Sequence, residues 1–302
     1  MNFYRVKLKL NSPYATEWQA DTIWGHLCWA LRFAYGEAEL ASFIARYGSG
    51  EPPLLVSNGF PGDLLPRPIL PQKPATGRAD YAKLKEYKKA QWLTAAEFAE
   101  ALNGQDITPG DNLGATQSVT LKNQINRRTG TTGSPEGEES AGRLFSFEQH
   151  HLNTVSIYLK ATENFVSKTR ELFQNLAKTG YGKRKTVGYG QFTVQSFDAV
   201  QWFKSASSPN GFISLSNFVP AVADPATGYW SLMVKYGKLG EEYAISGIPH
   251  KQPLVMFKAG SCFYDDSCRE FYGRLVKGLS RKYPEVVQYG YALPIPIKLP
   301  AP

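Results

Sequence analysis

The residues best placed to do chemistry lie between Gly180 and Gly190, read as Gly-Tyr-Gly-Lys-Arg-Lys-Thr-Val-Gly-Tyr-Gly. Glycine has no Cβ, so backbone here can take positive φ and approach a ligand closely. Lys183, Arg184 and Lys185 add three consecutive positive charges where those N–H groups would be exposed. Cations beside open amides suit a polyanion, most simply a nucleic-acid backbone. A flexible hairpin with a solvated basic tip has the same composition, and the stretch alone leaves both readings open.

A second donor-rich stretch is Asn123-Gln-Ile-Asn-Arg-Arg-Thr-Gly-Thr-Thr-Gly133, which contains no acid. Arg127 and Arg128 can each grip phosphate through a planar fork, and amides such as Asn123 and Asn126 can add neutral bonds. An ordinary polar loop would read the same way.

Catalytic chemistry finds little to work with. The histidines are His26, His150, His151 and His250. A metal-independent ribonuclease that activates a 2′-hydroxyl needs a general base beside a basic groove, and His26 is the candidate for that role. Its plainer reading is a histidine satisfied inside the fold, because it sits on a helix full of apolar residues. His150 and His151 have no cysteine or carboxylate at zinc-ligand spacing. Cys28, Cys262 and Cys268 form no close pair, which argues against a disulfide scaffold or zinc site and fits a reducing cytosol. Asp265-Asp266 suits a helix cap better than a metal. No nucleophile elbow, Walker loop or zincin motif occurs. A dinucleotide fingerprint is excluded by order, because a helix precedes the Gly180 loop and a strand follows it. No metal or cofactor is expected.

The elements that carry these residues follow from periodicity. Arg5-Val-Lys-Leu-Lys-Leu10 alternates cation and aliphatic, a strand with one basic face. Such a face belongs equally to a plain edge strand and to one that meets RNA. Ile23, Trp24, Leu27, Leu31 and Tyr35 recur at helical spacing after Asp21 or Thr22 as cap, and Gly36 ends the run. Helices are also expected over Glu37–Tyr47, Asp80–Trp92, Thr94–Leu102 (with a Thr94/Glu97 capping box) and Asn164–Lys178. Residues 104–143 read as a long polar insertion, partly disordered until something holds it. The second part offers strands at Phe212–Ser216, Tyr229–Tyr236, Pro253–Lys258 continuing across Gly260, and Val286–Leu299. A helix is expected near Asp265–Leu279, with Gly273 and Gly278 weakening it.

The whole is 302 residues, 42% apolar, with a net charge of +8. That balance favours an anionic partner. The chain opens directly on a strand pattern and has no apolar run of membrane-spanning length, so a cytoplasmic protein with no membrane partner is expected. The order strand–helix–strand, insertion, strand–helix–loop–strand is that of a split βαβ, ferredoxin-like unit.

A glycine-rich basic loop entering a strand inside such a unit resembles the RAMP superfamily of CRISPR proteins. More closely, five stretches together resemble the fourth Csm subunit, the Cas-five-group RAMP protein of type III-A effector complexes. They are Asp21–Leu31, Ser57–Pro68, Asn123–Gly133, the Gly180 loop and Gly290–Ile297. They occur in that family's order and span nearly the whole chain. The resemblance implies an α+β protein of two ferredoxin-like (RRM-like) domains, 1–204 and 205–302, with the polar insertion in the first. It further implies a non-catalytic subunit that caps the 5′ repeat-derived handle of the guide RNA. Its protein partners would be the large polymerase-like subunit and the adjacent backbone RAMP subunit. The RNA-binding residues carried over are Gly182, Lys183, Arg184, Lys185, Gly188 and Tyr189, with Asn123, Asn126, Arg127 and Arg128. Tyr181 and Tyr189 flank the cations and can stack on splayed bases or plug the core. Two rivals stay open: a RAMP endoribonuclease with His26 as base, and a subunit whose basic loop meets only protein.

Overall fold

The alternation at Arg5–Leu10 builds a strand, β1 (Asn2–Leu10), whose Val6 and Leu8 are fully buried. We describe the chain from a computed structural model covering residues 1–71, 90–107, 113–123, 144–201, 206–245 and 247–301, with Gly110, Ile125, Arg127 and Gly130 between them. After β1 come α1 (Ala20–Tyr35), α2 (Glu37–Gly48), β2 (Leu54–Pro61), β3 (Leu65–Pro66), β4 (Trp92–Leu93) and α3 (Ala95–Leu102). Then follow β5 (Thr116–Asn123), β6 (Leu144–His151), β7 (Thr154–Ala161), α4 (Glu163–Thr179) and β8 (Phe192–Ala199). The first sheet runs β2-β7-β1-β8, and each neighbouring pair is antiparallel. With α1 and α4 as its two connections, this is the connectivity of a split βαβ unit.

The cap expected of Asp21 or Thr22 is not made: Gln19 takes the N-cap position, both expected residues lie inside the helix, and Asn58 Oδ1 accepts from the Ala20 N–H at 2.9 Å. Asp21 instead turns inward, as described below. Thr94 and Glu97 do close a capping box at the start of α3. Of the expected helix Asp80–Trp92, positions 80–89 lie outside the described residues, and Trp92 belongs to β4. The arms of the polar insertion are regular. β5 and β6 form a two-stranded ribbon in register from Thr116↔His151 to Asn123↔Leu144.

The second half is built of strands: β9 (Gly211–Ser214), β10 (Gly228–Tyr229), β11 (Leu232–Lys235), β12 (Leu254–Phe257), β13 (Cys262–Tyr264), β14 (Tyr272–Gly273), β15 (Tyr291–Ala292) and β16 (Pro294–Ile297). Its main sheet runs β10-β13-β9-β16, and β11-β12 stands as a separate ribbon. Gly260, at φ 92°, turns the chain between β12 and β13, so they enter different sheets instead of continuing as one strand. The helix expected over Asp265–Leu279 does not form. Gly273 sits at φ 91° with its Cβ position 2.1 Å from the Gly290 carbonyl, and the segment pairs as β14 with β15.

One apolar cluster joins the halves, running from Val6 and Leu27 through Leu159 and Phe173 to Tyr289, Ile295 and Leu299. Within it the Tyr291 hydroxyl donates to the Tyr47 carbonyl at 2.9 Å, and the Val56 N–H donates to the Tyr289 hydroxyl at 2.9 Å. No helix among the described residues is long and apolar enough to cross a membrane.

Candidate nucleic-acid interface

The glycine-rich loop leaves α4 at Gly180 and enters β8, and it is held in one shape by the rest of the chain. Gly180, Gly182, Gly188 and Gly190 all have positive φ, as does Arg184 at 60°. A side chain at Gly190 would put its Cβ 2.1 Å from the Tyr181 carbonyl oxygen, so the two ends of the loop close only over glycine. The Tyr181 N–H donates to the Gly190 carbonyl at 2.9 Å, and the Gly190 N–H donates to Pro13 at 2.8 Å. Tyr181 is not available for a base. Its ring is fully buried, stacks on Trp18 at 3.9 Å, and its hydroxyl donates to the Glu17 carbonyl at 2.8 Å.

Most loop amides are spent internally. Gly182 donates to His26 Nε2 at 3.1 Å, Lys183 to Thr16 Oγ1 at 2.9 Å, and Tyr189 to the Arg184 carbonyl at 3.2 Å. Among the described residues, the N–H groups of Arg184, Lys185 and Thr186 have no partner. The expected amide cradle is thus short, and it sits beside the cations.

His26 reaches the loop from α1. It is a hydrogen-bond acceptor at Nε2, its ring lies 5.0 Å from Tyr181, and burial with the nearby Lys185 charge lowers its pKa to about 4. It lines a cleft of about 300 Å³ between α1 and α4, together with Trp29, Phe33, Leu176, Lys185 and Glu241. The same imidazole that would serve as general base is occupied in supporting Gly182.

The β5–β6 ribbon rests on the outer side of the loop. Gln149 Oε1 accepts from the Tyr189 hydroxyl at 3.1 Å, and Lys122 Nζ donates to that hydroxyl at 2.8 Å. Lys122 lies 4.7 Å from the Tyr189 ring centroid and 5.5 Å from that of Phe147. The Arg184 guanidinium lies 4.1 Å from the Phe147 centroid and 5.3 Å from that of Phe145. Cation–ring contacts of this kind are worth about 0.5–1 kcal/mol at exposed sites. Their larger effect is to hold two cations in fixed positions on one surface. Lys183 is exposed next to them, and Gly188 has open space around it. Lys185 departs from the set, because its ammonium is paired with Glu241. Asn123 ends β5 beside Lys122 and is exposed, as is Arg127 beyond it; Asn126 and Arg128 lie outside the described residues.

Other candidate features are accounted for by packing. On β1, Lys7 and Arg5 reach Asp63 at 2.8 and 3.1 Å, which leaves Lys9 as that strand's exposed cation. His150 stacks on Tyr14 at 5.3 Å, and His151 Nε2 lies 3.0 Å from Ser118 Oγ. No His, Cys, Asp and Glu cluster able to hold a metal occurs among the described residues.

Solved structures share this architecture end to end. A chain of the crystal structure of a Csm1–Csm4 cassette in complex with pppApA matches at TM-score 0.69 and 18% identity, over 100% of both chains. The cassette in complex with AMPPNP gives TM-score 0.68 and 18% identity, again over 100% of both. A chain of the Csm3–Csm4 subcomplex of the type III-A CRISPR-Cas interference complex gives 0.64 and 14%, over 99% of this chain and 100% of that one. Csm4 is the component these assemblies have in common. The chain has the Csm4 fold. No protein-family model and no curated protein matches the sequence. The resemblance drawn from the five motifs therefore holds at the level of fold.

Within the Csm4 fold of this chain, the residues that sequence reasoning missed are the loop's supports. Trp18, Thr16 and Glu241 meet the loop only through tertiary structure, and no local pattern marks them. Phe145 and Phe147 did carry a signal. Their i, i+2 spacing in Leu144-Phe-Ser-Phe puts both rings on one face of a strand.

Proposed function

We propose that this chain is a non-catalytic subunit of a type III CRISPR ribonucleoprotein, acting in the cytoplasm in antiviral defence. It holds the 5′ repeat-derived handle of the guide RNA and bridges the large polymerase-like subunit to the adjacent backbone RAMP subunit. In this reading the strand-built second half is a second ferredoxin-like unit reduced to its sheet; its four antiparallel strands support that view.

The observation that carries the proposal is the convergence of two sequence-distant segments. Arg184 and Tyr189 from the glycine loop meet Lys122, Phe145 and Phe147 from the ribbon, and Lys183, next to Arg184 in the chain, is exposed. Single-stranded RNA asks for this combination: cations along a backbone and aromatic faces near splayed bases. Partnership with a polymerase-like and a backbone subunit is supported by the company that the Csm4 fold keeps in the solved assemblies. Holding is favoured over cutting because His26 Nε2 already accepts the Gly182 N–H.

The test replaces Lys122, Lys183 and Arg184 by alanine and measures affinity for a guide-handle RNA across a salt series. The slope of log K against log salt is expected to become shallower by about 2, at roughly 0.7 per lost phosphate contact. An unchanged slope would remove direct phosphate contact from the proposal. The purified wild-type chain is expected to leave a repeat hairpin intact. Cleavage that disappears in His26→Ala would establish the nuclease instead.

A further inference from the structure

We propose that the outer edge of β11 accepts an extended strand from a neighbouring subunit, one whose apolar side chains are flanked by carboxylates. The inference rests on the assembly reading above. β11 pairs with β12 from Leu232↔Phe257 to Lys235↔Leu254. The Lys258 N–H donates to the Ser231 carbonyl at 2.9 Å, which makes 231/258, 233/256 and 235/254 the hydrogen-bonded pairs. The N–H and C=O groups of Leu232 and Val234 therefore point away from β12. Among the described residues they bond nothing.

The side chains on this strand reinforce the edge. Trp230, Leu232, Val234 and Tyr236 fall on one face, joined across the ribbon by Val255, and all five are exposed, Tyr236 at 74%. Alternating exposed apolar groups on an unpaired edge are what β-augmentation uses: backbone bonds for affinity and alternate side chains for selectivity. Natural edges of this kind are usually blunted by an outward charge, and Lys235 cannot supply one. It turns inward to Asp21 at 3.0 Å.

Charge decides the occupant. Exposed Lys258 stands at the Trp230 end and exposed Lys238 at the Tyr236 end, and neither has an acidic partner among the described residues. A nucleic acid would find an apolar strip between them. A second copy pairing antiparallel would bring the Lys238 end of each copy to the Lys258 end of the other, like charge toward like on a chain already at +8. A strand with acidic flanks satisfies both lysines.

Amide hydrogen exchange of the full chain, alone and coexpressed with each of its two proposed neighbour subunits, tests this. Leu232 and Val234 are expected to exchange freely alone and to slow about tenfold or more with one neighbour. Val234→Pro removes one outward N–H without touching the ladder to β12. Val234→Lys keeps the strand and adds the missing outward charge. Both are expected to lose that neighbour while holding handle RNA as wild type does. Assembly that forms with both amides unprotected and both variants competent overturns the edge proposal and leaves the assembly reading standing. No assembly with either neighbour overturns both. Concentration-dependent protection in the chain alone overturns it in favour of a second copy.

Discussion

Burial and the neighbouring Lys185 charge lower the His26 pKa to about 4, against about 6.5 in an unfolded chain. Between those values the unfolded chain takes up a proton that the folded one refuses. The stabilisation is complete above pH 6.5 and is lost as pH falls, by about 2 kcal/mol at pH 5 for this group alone. A protonated imidazole also has no lone pair for the Gly182 N–H, so acid strikes the loop directly. His26→Gln keeps an acceptor at that position without a titrating group. Urea unfolding at pH 7 and pH 5 is expected to show a smaller acid penalty for the variant than for wild type. Equal penalties would mean that His26 does not support the loop as a neutral acceptor.

As an element, the glycine loop is a closed clamp between α4 and β8. Gly190 has φ 63° and no room for a Cβ, whereas Gly188 has φ 91° and open space. Alanine at Gly188 meets only the left-handed backbone, at about 1–2 kcal/mol. Alanine at Gly190 must also push apart the Tyr181–Gly190 closure. It is expected to cost clearly more in chemical denaturation, and to weaken RNA binding where Gly188→Ala leaves the loop's support intact. Much of this element was legible: the basic triplet, the glycine spacing and the helix–loop–strand order all stand in the sequence. The same holds for β1, α1, α4 and the α3 capping box, whose signals are local and periodic. Contacts between distant segments were not legible. Nothing near Lys185 announces Glu241, and nothing near Tyr181 announces Trp18. At Asp265–Leu279 the residues allow a helix that Gly273 and Gly278 already weaken, and the close approach of the Gly290 carbonyl to Gly273, which only the fold reveals, forbids it.

Across the whole molecule, the two halves meet through a buried charge as well as through apolar packing. Asp21 on α1 is buried, pairs with Lys235 at 3.0 Å and accepts from Gln288 Nε2. Lys251 is bonded to Gln288 Oε1 at 2.8 Å, and burial lowers its pKa to about 8 while Asp21 draws it upward. One carboxylate therefore serves two ammonium groups at the junction. Removing one partner of a buried pair costs about 3–5 kcal/mol, because the other charge is left uncompensated. Asp21→Asn keeps the volume and is expected to fall in that range at pH 7. Lys235→Met in the Asp21→Asn background removes one of the stranded cations and is expected to recover part of the loss. Because the apolar cluster is continuous from Val6 to Leu299, wild type should unfold in one transition. Circular dichroism and tryptophan fluorescence are expected to coincide. If Asp21→Asn splits that transition into two while wild type shows one, the junction is what makes the halves fold as a unit. If wild type itself unfolds in two steps, the shared core does not couple them, and the loop's grip on Glu241 would then depend on a docking that the first half can lose.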